Sequence, residues 1–291
     1  MPRQLLTLAL ACAISACAAT AHPPAGAAPS PPPSGGPTPT APAPTALHIA
    51  PGTSRFLIRQ DLMIHQDFTG LPPTMTFGMG VFLTAAITAP ADSLGYQTTF
   101  TVDSMVVDSG STLPPGVSPV AARGLRVSGH LTPSGEFTNS SVSDSSAAQT
   151  LGNLLPRFRN FYPRLPAAGV RPGDEWTDSA QTTETAAGTT VTTRSQSRRA
   201  APTWEARNGI RALRIESTTT FDFEGSGQQQ GAVFTLGGSG VAGGVQFLTA
   251  DGRYLGGEAH DSTTLTIELT QQGMTIPRRQ LAHTTITLLP R

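Results

Sequence analysis

Residues 213–224 read LRIESTTTFDFE, and the alternation in this stretch decides the fold. The odd-numbered positions carry apolar or small hydroxyl side chains, namely Leu213, Ile215, Ser217, Thr219, Phe221 and Phe223. The even-numbered positions carry charged or threonine side chains, namely Arg214, Glu216, Thr218, Thr220, Asp222 and Glu224. A period of two with one apolar face is typical of a β-strand that packs one side on a core and exposes the other to water.

Similar alternation recurs in the stretches 81–88, 100–107, 265–269 and 283–289. Turn signals that contain glycine lie between the expected strands, namely Ser134-Gly135, Asn208-Gly209, Asp251-Gly252 and Gln272-Gly273. We therefore expect residues 47–291 to form a mainly β domain, a curved antiparallel sheet or half-barrel with one docked helix.

The docked helix is expected near 143–161. Apolar residues recur there at the helical spacings of three and four, namely Leu151, Leu154, Leu155, Phe158 and Phe161. Asp144 can cap the start of this helix, and Pro156 can bend or restart it. We expect its apolar face to lie on the sheet; a lid over a lipid or partner site is the alternative.

Two seven-residue stretches are similar to each other. Residues 131–137 read LTPSGEF and residues 248–254 read LTADGRY, so both follow the pattern Leu-Thr-x-[Ser/Asp]-Gly-x-aromatic. One interpretation is a duplication, with halves 47–142 and 167–291 joined by the helix. The other is that two unrelated hairpins use the same common turn chemistry.

The amino-terminal residues predict export. One arginine precedes a short apolar run, and small residues follow it, which is the pattern of a secretory signal. The residues Ile14-Ser15-Ala16-Cys17 resemble the lipobox of bacterial lipoproteins. This resemblance implies a signal peptide over 1–16 and a lipid on Cys17. An ordinary signal peptide cut after Ala21, which leaves a soluble secreted protein, is the alternative.

The lipid implies a membrane as partner. Ala18 follows the cysteine where inner-membrane retention signals carry Asp, so outer-membrane delivery is expected if the cell has two membranes. Residues 17–46 are the lipidated cysteine and a proline-rich, disordered spacer. At about 3.1 Å per residue, this spacer can hold a domain roughly 75 Å from the lipid.

Composition excludes several function classes. All 19 basic residues are arginine, so phosphate loops, Ser-x-x-Lys acylases and Schiff-base enzymes, which require lysine, are excluded. Charged residues make up 13% of the chain and cancel to zero net charge, which argues against nucleic-acid binding. The two cysteines, Cys12 and Cys17, lie in or next to the leader, so the domain has no disulfide or thiol nucleophile.

The best candidate for catalysis is Asp108 in the stretch VVDSGST over 106–112, which resembles the active-site motif of aspartic proteases. Those enzymes need two aspartates that share a proton, and the sequence has no second Asp-[Thr/Ser]-Gly. The simpler interpretation is a strand that ends in a turn.

The six histidines predict no metal site, because no pair has the spacing of a helical zinc site. His260 beside Asp261, and His65 near Asp67, are weak pairs on expected strands that can still join a folded site. The glycine run 237–240 suits a flexible loop or a bulged strand better than a phosphate loop. No cofactor is predicted.

Residues 161–176 contain a Leu-Pro…Val-x-x-Gly-Asp-x-Trp segment that ends at Trp176. This segment is similar to that of bacterial lipoproteins and secreted proteins of the DUF6263-like kind, in which a threonine-rich series of strands follows. The resemblance covers about 160–291. It supports placement in the envelope and a β fold, and it implies no particular activity.

These observations favour a non-enzymatic, membrane-anchored envelope lipoprotein that binds a hydrophobic ligand or lipid. The candidate pocket wall consists of Phe100, Val102, Leu213, Ile215, Phe221 and Phe223, with plain core as the alternative for each. Two other functions stay open, a structural or protein-interaction module of the envelope and an aspartic-type hydrolase that uses Asp108.

Overall fold

Twelve strands and one short helix make up the regular structure in the part of the chain that the computed structural model describes, residues 46–67, 72–92, 94–111, 119–144, 158, 160–186, 188–229 and 232–290. The elements, in chain order, are β1 Gly52–Gln66, β2 Thr74–Asp92, β3 Gly95–Val107, α1 Pro119–Ala122, β4 Arg126–Leu131, β5 Phe137–Val142, β6 Glu175–Ala186, β7 Thr189–Ala200, β8 Trp204–Arg207, β9 Ile210–Gln229, β10 Ala232–Thr249, β11 Tyr254–Leu269 and β12 Met274–Leu288.

The described strands form one open antiparallel sheet. Its order is β5-β4-β3-β2-β1-β12-β11-β10-β9-β7-β6, with β8 added beside β9. Most neighbours are consecutive in the chain, but β1 pairs with β12 near the middle of the sheet, from Phe56 opposite Leu288 to Gln66 opposite Arg278. The predicted mainly β, antiparallel class is confirmed.

The alternation that predicted the fold is reproduced in β9. Leu213, Ile215, Phe221 and Phe223 are buried on one face of the sheet, which we call the inner face. The alternate residues of β9, including Asp222 and Glu224, lie on the opposite, outer face. Because pairing is in register across the neighbouring strands, the same two faces continue through the sheet.

The main core lies on the inner face and is built around Phe161. The Phe161 ring contacts Phe100 on β3 at 5.3 Å and Tyr254 on β11 at 5.5 Å between centroids. Strands β3 and β11 are four places apart in the sheet, about 19 Å if it were flat at roughly 4.8 Å per strand. One aromatic ring can join both strands because the sheet curves around it. Burial raises the pKa of Tyr254 and of the neighbouring Tyr162.

A second apolar cluster lies on the inner face where β7, β9, β10, β11 and β12 run together. Its phenylalanine rings cover glycines of neighbouring strands. A Cβ atom on Gly240 would lie 2.3 Å from Cζ of Phe221, and one on Gly238 would lie 2.6 Å from Cζ of Phe223. The glycine run 237–240 is therefore part of the regular strand β10, and the expectation of a flexible loop or a bulge at this run was wrong. Its inner-face glycines leave room for the rings.

The helix predicted near 143–161 falls largely outside the described residues. The described helix, α1, is a single turn after β3. Of the predicted apolar positions, Phe158 and Phe161 are described, and both are buried in the main core. The Phe158 ring stacks on Phe100 at 5.1 Å between centroids.

The two similar stretches form hairpin turns with the same hydrogen bonds. In the first, the amide of Gly135 donates to the Thr132 carbonyl at 2.9 Å, and in the second Gly252 donates to Thr249 at 2.9 Å. The hydroxyl oxygens of Thr132 and Thr249 each accept from the amide four residues later. The first hairpin connects β4 to β5, and the second connects β10 to β11. A common origin of the two halves stays a prediction.

Candidate functional site

Four of the six predicted wall residues are packed entirely within the protein core. Phe100, Val102, Leu213 and Ile215 are at most 1% exposed and belong to the main apolar cluster. The Phe100 ring is enclosed by other rings, those of Phe137, Phe158, Phe161 and Tyr162. None of the four lines a described groove.

The other two wall residues, Phe221 and Phe223, belong to the second cluster. Phe221 also lines a groove of about 250 Å³ on the inner face, between the two apolar clusters. The groove wall mixes apolar and polar groups, including Ser197, Arg199 and Thr219. This volume is below the roughly 300–1,000 Å³ of typical ligand pockets.

A larger groove of about 850 Å³ crosses the outer face, and we call it the outer groove. It runs over β10, β11, β12, β1 and β2 and ends against the turn 108–111 that follows β3. Its volume lies within the range of typical ligand pockets. Of the inner groove and the outer groove, the outer groove is therefore the better-formed candidate site.

Strand register builds the floor of the outer groove. Asp61 lies opposite His283, and His283 lies opposite His260. The row is flanked by Gly78, opposite Asp61, and by Gly243, opposite His260. Directly opposed side chains on paired strands have Cβ atoms roughly 4.5–5.5 Å apart. The row thus places an acid and two imidazoles side by side between two positions that have no side chain.

The turn at one end of the groove is fixed over Gly78. The amide of Asp108 donates to the Gly78 carbonyl at 3.0 Å, and the amide of Gly78 donates to Oγ of Ser111 at 2.9 Å. A Cβ atom on Gly78 would lie 2.4 Å from Oδ2 of Asp108, so a side chain at this position would displace the Asp108 carboxylate. This arrangement agrees with the interpretation of Asp108 as the end of a strand that runs into a turn.

Asp108 faces an arginine. Nη1 of Arg59 donates to Oδ1 of Asp108 at 2.9 Å, and Nη2 donates to Oδ2. The same Nη2 donates to Oδ1 of Asp61 at 3.1 Å. These hydrogen bonds raise the pKa of Arg59, with Asp108 as the largest cause. The two carboxylates therefore share a guanidinium, which differs from two carboxylates that share one proton.

Beside this network, Glu258 joins the two histidines of the row. Oε1 of Glu258 lies 2.9 Å from Nε2 of His283 and 3.2 Å from Nε2 of His260. The imidazole rings stack at 4.5 Å between centroids, 5° from parallel. The three ligand atoms lie within 4.8 Å of one another. This group can bind a cation or exchange protons among its members.

The sequence did not predict this cluster, because its members are distant in the chain and no metal site was expected. A signal was present in the turn Gln272-Gly273. The four-residue loop 270–273 joins β11 and β12, and Leu269 pairs with Met274. A hairpin centred on that loop necessarily places His260 opposite His283. The predicted pairs His260 with Asp261 and His65 with Asp67 are not the contacts that build the cluster.

No protein-family profile matches this chain, and no curated protein is similar to it. The resemblance to the DUF6263-like family therefore stays a prediction. Within the described residues, no helix is long and apolar enough to cross a membrane.

Proposed function

We propose that the protein is a non-enzymatic lipoprotein of the bacterial cell envelope that binds a ligand in the outer groove. The observation that carries the proposal is the contrast between the two faces of the sheet. The inner face is filled by aromatic core, with a remaining groove of about 250 Å³, whereas the outer face holds a groove of about 850 Å³. The lipobox-like residues 14–17 support an anchor on Cys17, in the outer membrane where two membranes exist.

The polar floor of the outer groove favours a polar or cationic ligand. Asp61 and Asp108 line it together with His260 and His283, and their acidic charge is only partly balanced by Arg59. Because Arg59 occupies the space between the two aspartates, the arrangement supports binding rather than aspartic-type hydrolysis.

The anchor is tested by labelled palmitate. The wild-type chain is expected to incorporate the label in cells, and Cys17→Ala is expected to abolish incorporation because no other thiol remains in the mature chain. Equal labelling of the two proteins, or an unlabelled wild type, would contradict the anchor.

The groove is tested by blocking it with a side chain. Gly243 lies on its floor, and a Cβ atom there would have its nearest neighbour at 3.7 Å, so Gly243→Arg can fill the groove without displacing backbone. Gly237→Arg is the matched control, on the same strand and face with its nearest neighbour at 3.8 Å, outside the groove.

Small polar and cationic fragments are screened by ligand-observed NMR in metal-free buffer. Fragments that bind the wild type are expected to lose binding to Gly243→Arg and to keep it with Gly237→Arg. A screen without binders, or binders that Gly243→Arg retains, would contradict the proposal.

A hydrophobic ligand on the inner face is the second candidate, favoured by Phe221 in the wall of the inner groove. Lipid extraction and mass spectrometry of the purified protein test it. A lipid recovered in stoichiometric amount from every preparation would support this candidate, and a clean extract would exclude it.

A further inference from the structure

We propose that Glu258, His260 and His283 bind a divalent transition-metal ion, with Zn²⁺ as the representative ion, at the edge of the outer groove. This inference rests on the proposed function, because it names the class of ligand that the outer groove receives. Three observations carry it: the convergence of the ligand atoms, their chemistry, and the rigidity of the strands that hold them.

The ligand atoms already lie close to the separations that a metal ion needs. Ligands at about 2.0–2.2 Å from a tetrahedral ion lie roughly 3.3–3.6 Å from one another. The separations from Oε1 of Glu258 to the two Nε2 atoms are 2.9 Å and 3.2 Å. An ion can enter among the three atoms when the side chains move apart by several tenths of an ångström and the stacked imidazole rings rotate so that both Nε2 atoms point at it.

Two imidazoles and one carboxylate form a ligand set that suits transition metals. Imidazole binds Zn, Cu, Fe and Ni, whereas Mg²⁺ and Ca²⁺ prefer sites made of oxygen ligands alone. Three protein ligands leave at least one position of the ion open. The ion would lie at the edge of the outer groove, because His260 and His283 both line it.

Regular strands position the site. His260 and His283 are paired in continuous register along β11 and β12, with Leu269 opposite Met274 at the near end of the same ladder. Within the described chain, the ion pairs of Glu258 are those with the two histidines, and Arg59 is engaged by Asp61 and Asp108. No described arginine therefore competes for the carboxylate that the metal would use.

The experiment is titration calorimetry with Zn²⁺ on the purified full chain after treatment with EDTA. The wild type is expected to bind one equivalent of Zn²⁺ through the three side chains of the cluster. His260→Ala and His283→Ala are each expected to weaken that equivalent at least about tenfold, since loss of even an outer-shell partner of a metal ligand costs about 10–100-fold. Glu258→Gln is expected to weaken it as well.

His65→Ala is the matched control, because His65 lies on the same outer face and contacts Thr74 rather than the cluster. It is expected to bind Zn²⁺ like the wild type. The site would be overturned if the wild type does not bind Zn²⁺, or if His260→Ala and His283→Ala bind it as tightly as the wild type. It would also be overturned if His65→Ala loses as much Zn²⁺ affinity as the cluster variants. Circular dichroism of each variant verifies that the sheet is intact.

The two proposals can fail separately. Zn²⁺ binding without groove-dependent fragment binding would remove the outer groove as a general ligand site and keep the metal site. Groove-dependent fragment binding in metal-free buffer without Zn²⁺ binding would remove the metal site and keep the outer groove as a ligand site.

Discussion

The covering of glycine by phenylalanine in the second apolar cluster predicts the effect of one methyl group. Gly240→Ala places a Cβ atom 2.3 Å from Cζ of Phe221 and 2.7 Å from the carbonyl oxygen of Ser262. The ring can move only into a cluster where Phe221 is 5% exposed, and the carbonyl belongs to the neighbouring strand. Both contacts must lengthen, so the substitution overpacks the core.

Overpacking of this kind costs about 1–3 kcal/mol. Replacing glycine by alanine also restricts the unfolded chain, which returns about 0.4–1 kcal/mol. With an overpacking cost near the middle of its range, about 2 kcal/mol, the free energy of unfolding is expected to fall by about 1–2 kcal/mol in Gly240→Ala. For a domain of this size that corresponds to a melting temperature lower by about 2–8 °C.

Gly237→Ala is the matched control on the same strand. Its nearest neighbour would lie 3.8 Å away, an ordinary contact, so its stability is expected to equal or slightly exceed that of the wild type. Urea unfolding of the two variants provides the comparison. Equal stability of Gly240→Ala and Gly237→Ala would refute the account of Phe221 packing on Gly240.

Two further predictions concern the core and a turn. Phe161→Ala removes a ring that is 2% exposed and is expected to lower the free energy of unfolding, measured in denaturant, by about 3–5 kcal/mol. Val120→Ala, at an 83% exposed position, should stay within about 0.5 kcal/mol of the wild type. A loss below about 1 kcal/mol for Phe161→Ala would count against the central role of this ring. The pKa of Asp251 is lowered, and the hydrogen bond from Thr249 is the largest cause. The ionised carboxylate therefore stabilises the fold above its ordinary pKa, and this contribution is lost as the pH falls through the lowered pKa. Asp251→Asn should therefore have a lower melting temperature than the wild type at pH 7, and this difference should disappear in acid. A difference in melting temperature that stays constant or widens from pH 7 to pH 2.5 would contradict the stabilising role of this carboxylate in the turn.

Local patterns in the sequence predicted much of the sheet. The alternation over 213–223 identified the buried face of β9, and the turns at Asn208-Gly209 and Gln272-Gly273 lie where hairpins connect β8 to β9 and β11 to β12. These features depend on neighbouring residues, because hairpin register follows from the turn and face follows from parity along the strand.

Long-range pairing could not be read in the same way. Nothing local indicates that β1 pairs with β12, and this pairing places Asp61 beside His283. The run 237–240 was interpreted as a flexible loop or a bulged strand because the phenylalanines that cover its inner-face glycines lie on another strand. The structural role of a glycine within a strand can be assigned only when the side chain that packs against it is known.

The candidate wall residues show a limit of a different kind. An apolar face on a strand predicts burial, and all six of these residues are buried. Periodicity does not distinguish burial by ligand from burial by protein. Phe100 is covered by the rings of Phe158, Phe161 and Tyr162, which belong to no strand, and only the folded chain places those rings on it.

Anomalous diffraction from crystals soaked in Zn²⁺ tests most directly whether the outer face carries the site. The account predicts one strong anomalous peak in the outer groove, about 2.0–2.1 Å from Nε2 of both His260 and His283, with Glu258 as the third ligand. The peak should vanish in crystals of His260→Ala. Absence of a peak in wild-type crystals, or a strongest peak away from these three side chains, would contradict the account.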